Sequence, residues 1–113
     1  MKLLIVDDNA AVRRLISSIA FPFADEICEC TNGAEAVSAY NAERPDLVLM
    51  DIRMNEVEGI AATIQIKAAH PAARIVIVTD YDDTALRQAA TSAGACGYVL
   101  KENLLELRQW LET

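Results

Sequence analysis

The sequence from Leu47 to Met50 is a short, wholly apolar run that ends abruptly on a carboxylate, Asp51. A run of this length between polar residues is typical of a strand that is buried on both faces. Strands of that kind occur in parallel sheets that helices cover on each side. Asp51 would then lie at the carboxyl end of a central strand, the edge where open α/β sheets bind ligands. Two interpretations stay open, because Asp51 either serves such a site or caps the following turn.

Four further segments with strand character alternate with segments whose apolar residues recur at helical spacing. The runs at 3–6, 75–78 and 97–100 are apolar, and the weaker run at 27–30 contains Glu29. Five strand–helix repeats of this kind predict an α/β fold with a doubly wound, five-stranded parallel sheet. Right-handed crossovers place the helices on both faces of the sheet. We expect the strand order 2-1-3-4-5, in which the first and third strands flank the switch point.

Residue types that favour the start or the end of a helix lie at the predicted boundaries between strands and helices. Asn or Asp before an apolar periodic segment favours a helix start, and Glu three residues later resembles a capping box. The sequence predicts such starts from Asn9, from Asn32 with Glu35, from one of Asp80, Asp82 and Asp83, and from Asn103 with Glu106. Gly94 is predicted to end the fourth helix.

The composition is that of a globular protein and disfavours several functions. The chain has 113 residues, 53% of them hydrophobic, which suits one domain spanning 1–113. The net charge of −7 disfavours direct binding to nucleic acid, which needs clustered Lys and Arg. The apolar N-terminal run meets Asp7 and Asp8 too soon for an export signal or a membrane span. The three cysteines are expected to be free thiols in a reducing cytoplasm.

Polar residues follow each strong strand of the predicted sheet. Asp7 and Asp8 follow the first strand, Asp51 the third, Thr79 closes the fourth, and Lys101 follows the fifth. Because the carboxyl ends of parallel strands share one edge, we expect these side chains to converge in one pocket. Three convergent carboxylates raise one another's pKa unless a cation is present. Mg²⁺ suits a site of few carboxylates that water and a phosphoryl group complete.

This set of groups indicates phosphoryl transfer. Asp51 is the natural nucleophile because it stands alone on the central strand, and Asp7 and Asp8 are the natural metal ligands. Lys101 would offset the charge of the transferred group, and Thr79 would donate a hydrogen bond to it.

The chain resembles the receiver domain of two-component response regulators over its whole length. The resemblance rests on the order and spacing of several short motifs together, since each alone is weak. They are VDDN at 6–9, LMDIRM at 49–54, Gly59, VT at 78–79, GA at 94–95 and GYVLK at 97–101.

The resemblance implies a flavodoxin-like fold and a specific set of roles. Asp51 would accept a phosphoryl group from a sensor histidine kinase or a phosphotransfer protein. Mg²⁺ would be bound by Asp7, Asp8, Asp51 and the backbone carbonyl of Arg53. Thr79 and Lys101 would assist the transfer. Such a domain is cytoplasmic, acts as a signalling domain rather than an enzyme on other substrates, and passes its state to an output domain, a partner protein or a second copy.

The resemblance also implies a switch that reports phosphorylation, formed by Thr79 and Tyr98. The sequence from Tyr98 to Glu102 looks most like regulators that have a helix-turn-helix DNA-binding domain. We therefore expect either a single-domain regulator or a piece of a longer one.

Four departures from the family pattern concern the loops and the last helix. Asn55 stands where a proline is usual, Glu102 where a cis proline is usual, and Asp80 where a small residue is usual. The last helix is short. None of these changes removes a chemical group from the predicted pocket.

Three other functions use similar parts. A receiver-like binding module would dock partners without phosphorylation, which the complete set of pocket residues disfavours. A flavodoxin-type FMN carrier needs a hydroxyl- and glycine-rich phosphate loop, where Asp7 and Asp8 would repel phosphate. A phosphatase of the haloacid dehalogenase type uses an Asp-x-Asp pair, and Arg53 stands where the second carboxylate would be needed.

Overall fold

The fold alternates strands and helices along the chain. A computed structural model describes residues 1–53 and 58–112. The strands are β1 Lys2–Val6, β2 Glu26–Cys30, β3 Leu47–Met50, β4 Ile75–Thr79 and β5 Gly97–Leu100. The helices are α1 Ala10–Ala20, α2 Gly33–Glu43, α3 Gly59–Ala69, α4 Thr84–Ala93 and the short α5 Arg108–Leu111, which a 3₁₀ segment at Lys101–Leu107 precedes.

The strands form one parallel sheet in the order β2-β1-β3-β4-β5. The predicted fold class and strand order are therefore confirmed, and the architecture is flavodoxin-like. β1 and β3 are neighbours in the middle of the sheet, with Val6 paired to Met50 at their carboxyl ends. None of the helices in the described ranges is long and apolar enough to cross a membrane.

The apolar runs have no alternation because both faces of the sheet are covered. One face packs against α2, α3 and α4, through residues such as Leu4, Met50 and Ile77. The other face packs against α1 and the C-terminal segment, through residues such as Ile5 and Leu49. Each strand therefore contributes alternate side chains to two separate cores. This burial fixes the strands and leaves their carboxyl ends as the place where polar groups can gather.

Several of the predicted helix ends are present in the structure. The side chain of Asn9 accepts from the backbone N–H groups of Ala11 and Val12, which begins α1. The side chain of Asp83, one of three candidates, accepts from Leu86 N and begins α4. Gly94 ends α4 with φ 105°, a conformation that favours glycine.

The capping box of α2 differs from its predicted form in one partner. Asn32 accepts from Glu35 N as expected. Glu35 Oε1 instead accepts from the backbone N–H and the hydroxyl of Thr31, one residue before the cap.

The predicted start of the last helix at Asn103 and Glu106 is wrong. Asn103 has φ −127° and ψ 45°, which interrupts the helical conformation, and its side chain caps nothing in the 3₁₀ segment. The segment still buries Leu104 and Leu107 against the core that contains Ile5. A 3₁₀ turn places side chains three residues apart on the same face, which satisfies this apolar pair without a regular α-helix.

Gly59 allows α3 to begin directly beneath the end of β3. Its N–H donates to Ile52 O at 2.8 Å, and a Cβ at this position would collide with the backbone carbonyl of Asp51. The close approach of these two backbones is the physical reason for glycine here.

Candidate functional site

The register of the sheet brings four strand ends to one edge. Val6 pairs with Met50, Met50 with Ile77, and Thr79 with Leu100. The residue after Val6 is Asp7, the residue after Met50 is Asp51, and the residue after Leu100 is Lys101. Parallel pairing of the strands thus places these three residues at the same edge of the sheet as Thr79, within two residues of one another in register.

Three carboxylates meet at this edge. One oxygen from each of Asp7, Asp8 and Asp51 lies within 4.8 Å of the others. Asp7 is 1% exposed and Asp51 is 6% exposed, whereas Asp8 lies open to solvent. The structure therefore brings together the three carboxylates that the sequence singled out, two of them inside the protein.

Asp7 is held in place by hydrogen bonds to its side chain and to its backbone carbonyl. Its Oδ1 accepts from Asn9 N at 2.8 Å, and its backbone carbonyl accepts from the guanidinium of Arg13 at 2.7 Å. Its Oδ2 lies 2.8 Å from Lys101 Nζ, but no donor in the described ranges makes a directed hydrogen bond to it. A buried carboxylate oxygen with only an ion pair retains capacity for a further positive ligand.

Lys101 is the positive centre of the pocket. Its Nζ lies 2.8 Å from Asp7 Oδ2, 3.4 Å from Asp51 Oδ1 and 4.0 Å from Asp80 Oδ2. Burial works against the charged ammonium, but the close contact with Asp7 and the charges of the nearby carboxylates outweigh it and raise the pKa of Lys101. The lysine therefore stays protonated and is shared among three acids.

Asp51 is an unusually basic carboxylate. Burial and the charge of Asp7 raise its pKa from 3.8 to about 6, although Lys101 acts in the opposite direction. One ammonium thus compensates the buried acids only in part. The pocket has excess negative charge that a cation would relieve.

Thr79 is fully buried at the end of β4, and its Oγ1 accepts from Tyr81 N at 3.2 Å. The guanidinium of Arg53 lies 4.8 Å from the centre of the Tyr81 ring. Such a distance is typical of a cation–π contact. The loop after β3 and the loop after β4 are therefore joined at the rim of the pocket.

Tyr98 is half-buried on β5. Its hydroxyl donates to the backbone carbonyl of Tyr81 at 2.6 Å, and the guanidinium of Arg87 lies 4.5 Å from its ring centre. Arg87 in turn forms an ion pair with Asp82 at 3.2 Å. The two residues predicted to form a switch, Thr79 and Tyr98, are thus both hydrogen-bonded to Tyr81.

Sequence reasoning identified the pocket but missed two residues that contact its members. Arg13 supports Asp7, and Arg87 covers Tyr98. Arg13 and Arg87 each contact a residue outside their own helix, so local sequence periodicity does not predict these contacts. The unusual Asn55 lies outside the described residues.

The fold and this edge together define a class of protein. The family of response regulator receiver domains matches residues 3–112, and the chain belongs to that family. Receiver domains are signalling domains of two-component systems.

The relatives of the chain include chemotaxis and transcription-regulator proteins. It is 39% identical over 101 residues to the chemotaxis protein CheY of Bacillus subtilis, covering 88% of this chain and 84% of that protein. It is 36% identical over 104 residues to the transcriptional regulatory protein LnrK of the same species, covering 90% of this chain but 47% of LnrK. The relatives of the chain therefore include a regulator of transcription, as the resemblance described above led us to expect.

Solved structures show the same fold. A LuxR-family two-component response regulator from Aurantimonas superposes with a TM-score of 0.90 at 33% identity, over 98% of this chain and 81% of that one. The CheX-CheY-BeF3-Mg+2 complex from Borrelia burgdorferi gives a TM-score of 0.89 at 22% identity, over 100% and 90% of the two chains, which shows the fold alone.

Removing the charge of Asp51 tests the electrostatic cost of the pocket. The folded pKa of about 6 exceeds the ordinary value of 3.8. The stability associated with protonated Asp51 is therefore complete below the lower value and is lost as the pH rises through the higher one. In the presence of a chelator, Asp51→Asn should be more stable than the parent by about 2–3 kcal/mol at pH 8 and by little at pH 4.

Urea unfolding at both pH values measures this difference, with Glu106→Gln as the control that removes an exposed carboxylate away from the pocket. An equal effect of Asp51→Asn at pH 4 and pH 8 would contradict the raised pKa.

Proposed function

We propose that this receiver domain accepts a phosphoryl group on Asp51, from a sensor histidine kinase or a phosphotransfer protein, and that the reaction depends on Mg²⁺. The observation that carries the proposal is the grouping of Asp51 with Asp7 and Asp8 within 4.8 Å, with Lys101 Nζ 3.4 Å from Asp51. A binding module without chemistry has no use for two buried acids that share one ammonium. Burying such charges is costly unless they are paired or bind an ion.

The reaction needs no proton from the protein. A carboxylate oxygen of Asp51 attacks the phosphorus and forms a new P–O bond, while the bond from phosphorus to the donor atom breaks and its electron pair leaves with the donor. Lys101 lies where it can offset charge on the transferred oxygens, and Thr79 supplies a hydroxyl at the adjacent strand end. Asp51 has a raised pKa, but above about 6 it is mainly the carboxylate that can attack.

The residues fit Mg²⁺ by their chemistry and by the imbalance of charge. Asp7 and Asp8 supply hard oxygen ligands, Asp51 supplies a third, and Asp7 Oδ2 lacks a directed hydrogen-bond donor among the described residues. The carbonyl of Arg53 follows Asp51 closely in sequence and is the further ligand that we propose. When bound, the ion would offset negative charge on the carboxylates and on the phosphoryl oxygens. The CheX–CheY complex from Borrelia burgdorferi contains Mg²⁺, which agrees with this proposal.

The proposed switch uses Thr79 and Tyr98. A phosphoryl group on Asp51 would attract the Thr79 hydroxyl, whose oxygen now accepts from Tyr81 N. Because the hydroxyl of Tyr98 donates to the carbonyl of Tyr81, a change at Thr79 reaches Tyr98 through one shared residue. The surface formed by α4 and β5 would then differ between the two states.

The partners we propose follow from the family and from the charge of the chain. The kinase or phosphotransfer protein supplies the phosphoryl group, and an output domain, a separate protein or a second copy of this chain reads the switched surface. A net charge of −7 argues against direct binding to nucleic acid by residues 1–113. The free thiols of Cys28, Cys30 and Cys96 suit a reducing compartment, and we place the reaction in the cytoplasm.

Substituting the nucleophile tests the function directly. Asp51→Asn should abolish the acyl phosphate, because an amide of the same shape cannot attack phosphorus. Incubation with Mg²⁺ and phosphoramidate, followed by intact-protein mass spectrometry, should show one added phosphoryl group on the parent and none on the variant. Equal labelling of the two proteins would reject Asp51 as the acceptor, and no labelling of the parent by any donor would favour the binding module.

Magnesium should stabilise the folded protein, because the three carboxylates are gathered only in the folded state. At about ten times its dissociation constant, Mg²⁺ should add about 1.4 kcal/mol and raise the melting temperature by about 5–8 °C. Asp8→Asn should lose most of this gain, whereas Asp46→Asn, remote from the pocket, should keep it. A melting temperature indifferent to Mg²⁺ and to chelator would contradict the metal site.

Removing Arg87 should release Tyr98 from its present position. A cation–π contact at a partly exposed site contributes about 0.5–1 kcal/mol, so Arg87→Ala should shift the Tyr98 equilibrium about twofold to fivefold. Aromatic NMR spectra of the unphosphorylated protein should move part of the way toward those with beryllofluoride. Arg108→Ala is the matched control, because Arg108 covers Phe23 instead. Unchanged Tyr98 signals in Arg87→Ala would show that Arg87 does not hold the ring.

A further inference from the structure

Asp80 is the only exposed member of the trio of acids that surrounds Lys101 in the described part of the chain. Its side chain is 71% exposed, and its Oδ2 lies 4.0 Å from the Lys101 ammonium, whose side chain is 14% exposed. Asp7 and Asp51 contact the same ammonium from inside the protein. Asp80 is therefore the one of these three acids whose charge faces solvent.

The charge of Asp80 has no role in the chemistry proposed above. It is not one of the three acids that could jointly hold a metal ion within the described ranges. It is also not the cap of α4, because Asp83 has that role. What remains is a negative charge at the mouth of a pocket whose reactants are themselves anions.

A small phosphodonor that diffuses in from solution approaches the charge of Asp80 with no other binding interface to offset the repulsion. A phosphoryl group at neutral pH has about two negative charges. Such a donor is repelled by Asp80 and must also compete with it for Lys101. A donor presented by a docked protein gains binding energy from the rest of its interface, which offsets this local repulsion.

We propose that Asp80 is a specificity-determining residue that disfavours small, highly charged phosphodonors at the entrance of the pocket. This inference rests on the proposed phosphorylation of Asp51. The step itself is unchanged: with acetyl phosphate, the P–O bond to Asp51 forms as the bond between phosphorus and the bridging oxygen breaks, and acetate leaves with the electron pair. Asp80 alters only the ease with which the donor reaches that geometry.

The experiment compares Asp80→Asn, which keeps the shape and removes the charge, with Glu106→Gln, which removes one exposed charge away from the pocket. With acetyl phosphate and Mg²⁺ at low ionic strength, Asp80→Asn should be phosphorylated about 3-fold to 10-fold faster than the parent. The gain should shrink at about 0.5 M salt, because the charge is exposed and therefore screened. It should be smaller with phosphoramidate, which has less negative charge. Glu106→Gln should match the parent.

A second readout separates this inference from the proposed function. Beryllofluoride, an anionic phosphoryl mimic, should bind Asp80→Asn more tightly than the parent in the presence of Mg²⁺, as measured by NMR titration of the Thr79 and Lys101 amides. If the parent is labelled normally but Asp80→Asn gains neither rate nor affinity, the inference is overturned while the function stands. A gain in Asp80→Ala without one in Asp80→Asn would also overturn it, because size rather than charge would then govern entry. If no donor labels the parent, the proposed function fails, and the beryllofluoride titration still decides for or against Asp80.

Discussion

The pocket is organised by two buried carboxylates that share one ammonium. Lys101 lies 2.8 Å from Asp7 and 3.4 Å from Asp51. Its single positive charge does not fully offset the cost of burying both carboxylates, so the pKa of Asp51 remains raised. Buried acids persist only where the surrounding structure is stable enough to hold them. Here that structure is a sheet with apolar cores on both faces, whose strands have no freedom to slide. The stability of the cores thus makes an unfavourable group of charges possible at one edge.

The sequence predicted those parts of the molecule that follow from local pattern. Strands such as Leu47–Met50 are recognisable because burial on both faces needs an unbroken apolar run. The convergence of Asp7, Asp51 and Lys101 followed from the rule that parallel strands end at one edge. The α1 start at Asn9 followed from the chemistry of the orphan N–H groups.

The remaining features depend on contacts between elements that are distant in sequence. The contact of Arg53 with Tyr81 joins residues on two loops, and the contact of Arg87 with Tyr98 joins a helix to a strand. Neither pair has a spacing that indicates contact. The 3₁₀ conformation at Lys101–Leu107 escaped prediction for another reason: Asn103 and Glu106 have the spacing of a capping box, but burial of Leu104 and Leu107 is satisfied without one.

Tyr81 connects three residues at the rim of the pocket. Its backbone N–H donates to Thr79, its backbone carbonyl accepts from Tyr98, and its ring faces the guanidinium of Arg53. In the proposed switch, a phosphoryl group on Asp51 would attract the Thr79 hydroxyl and weaken the first of these contacts. The Tyr81 backbone would then be less constrained, and the hydroxyl of Tyr98 would lose its fixed acceptor. One exposed loop residue therefore joins the buried Thr79 to the half-buried Tyr98, and the coupling we propose needs only hydrogen bonds that are already present.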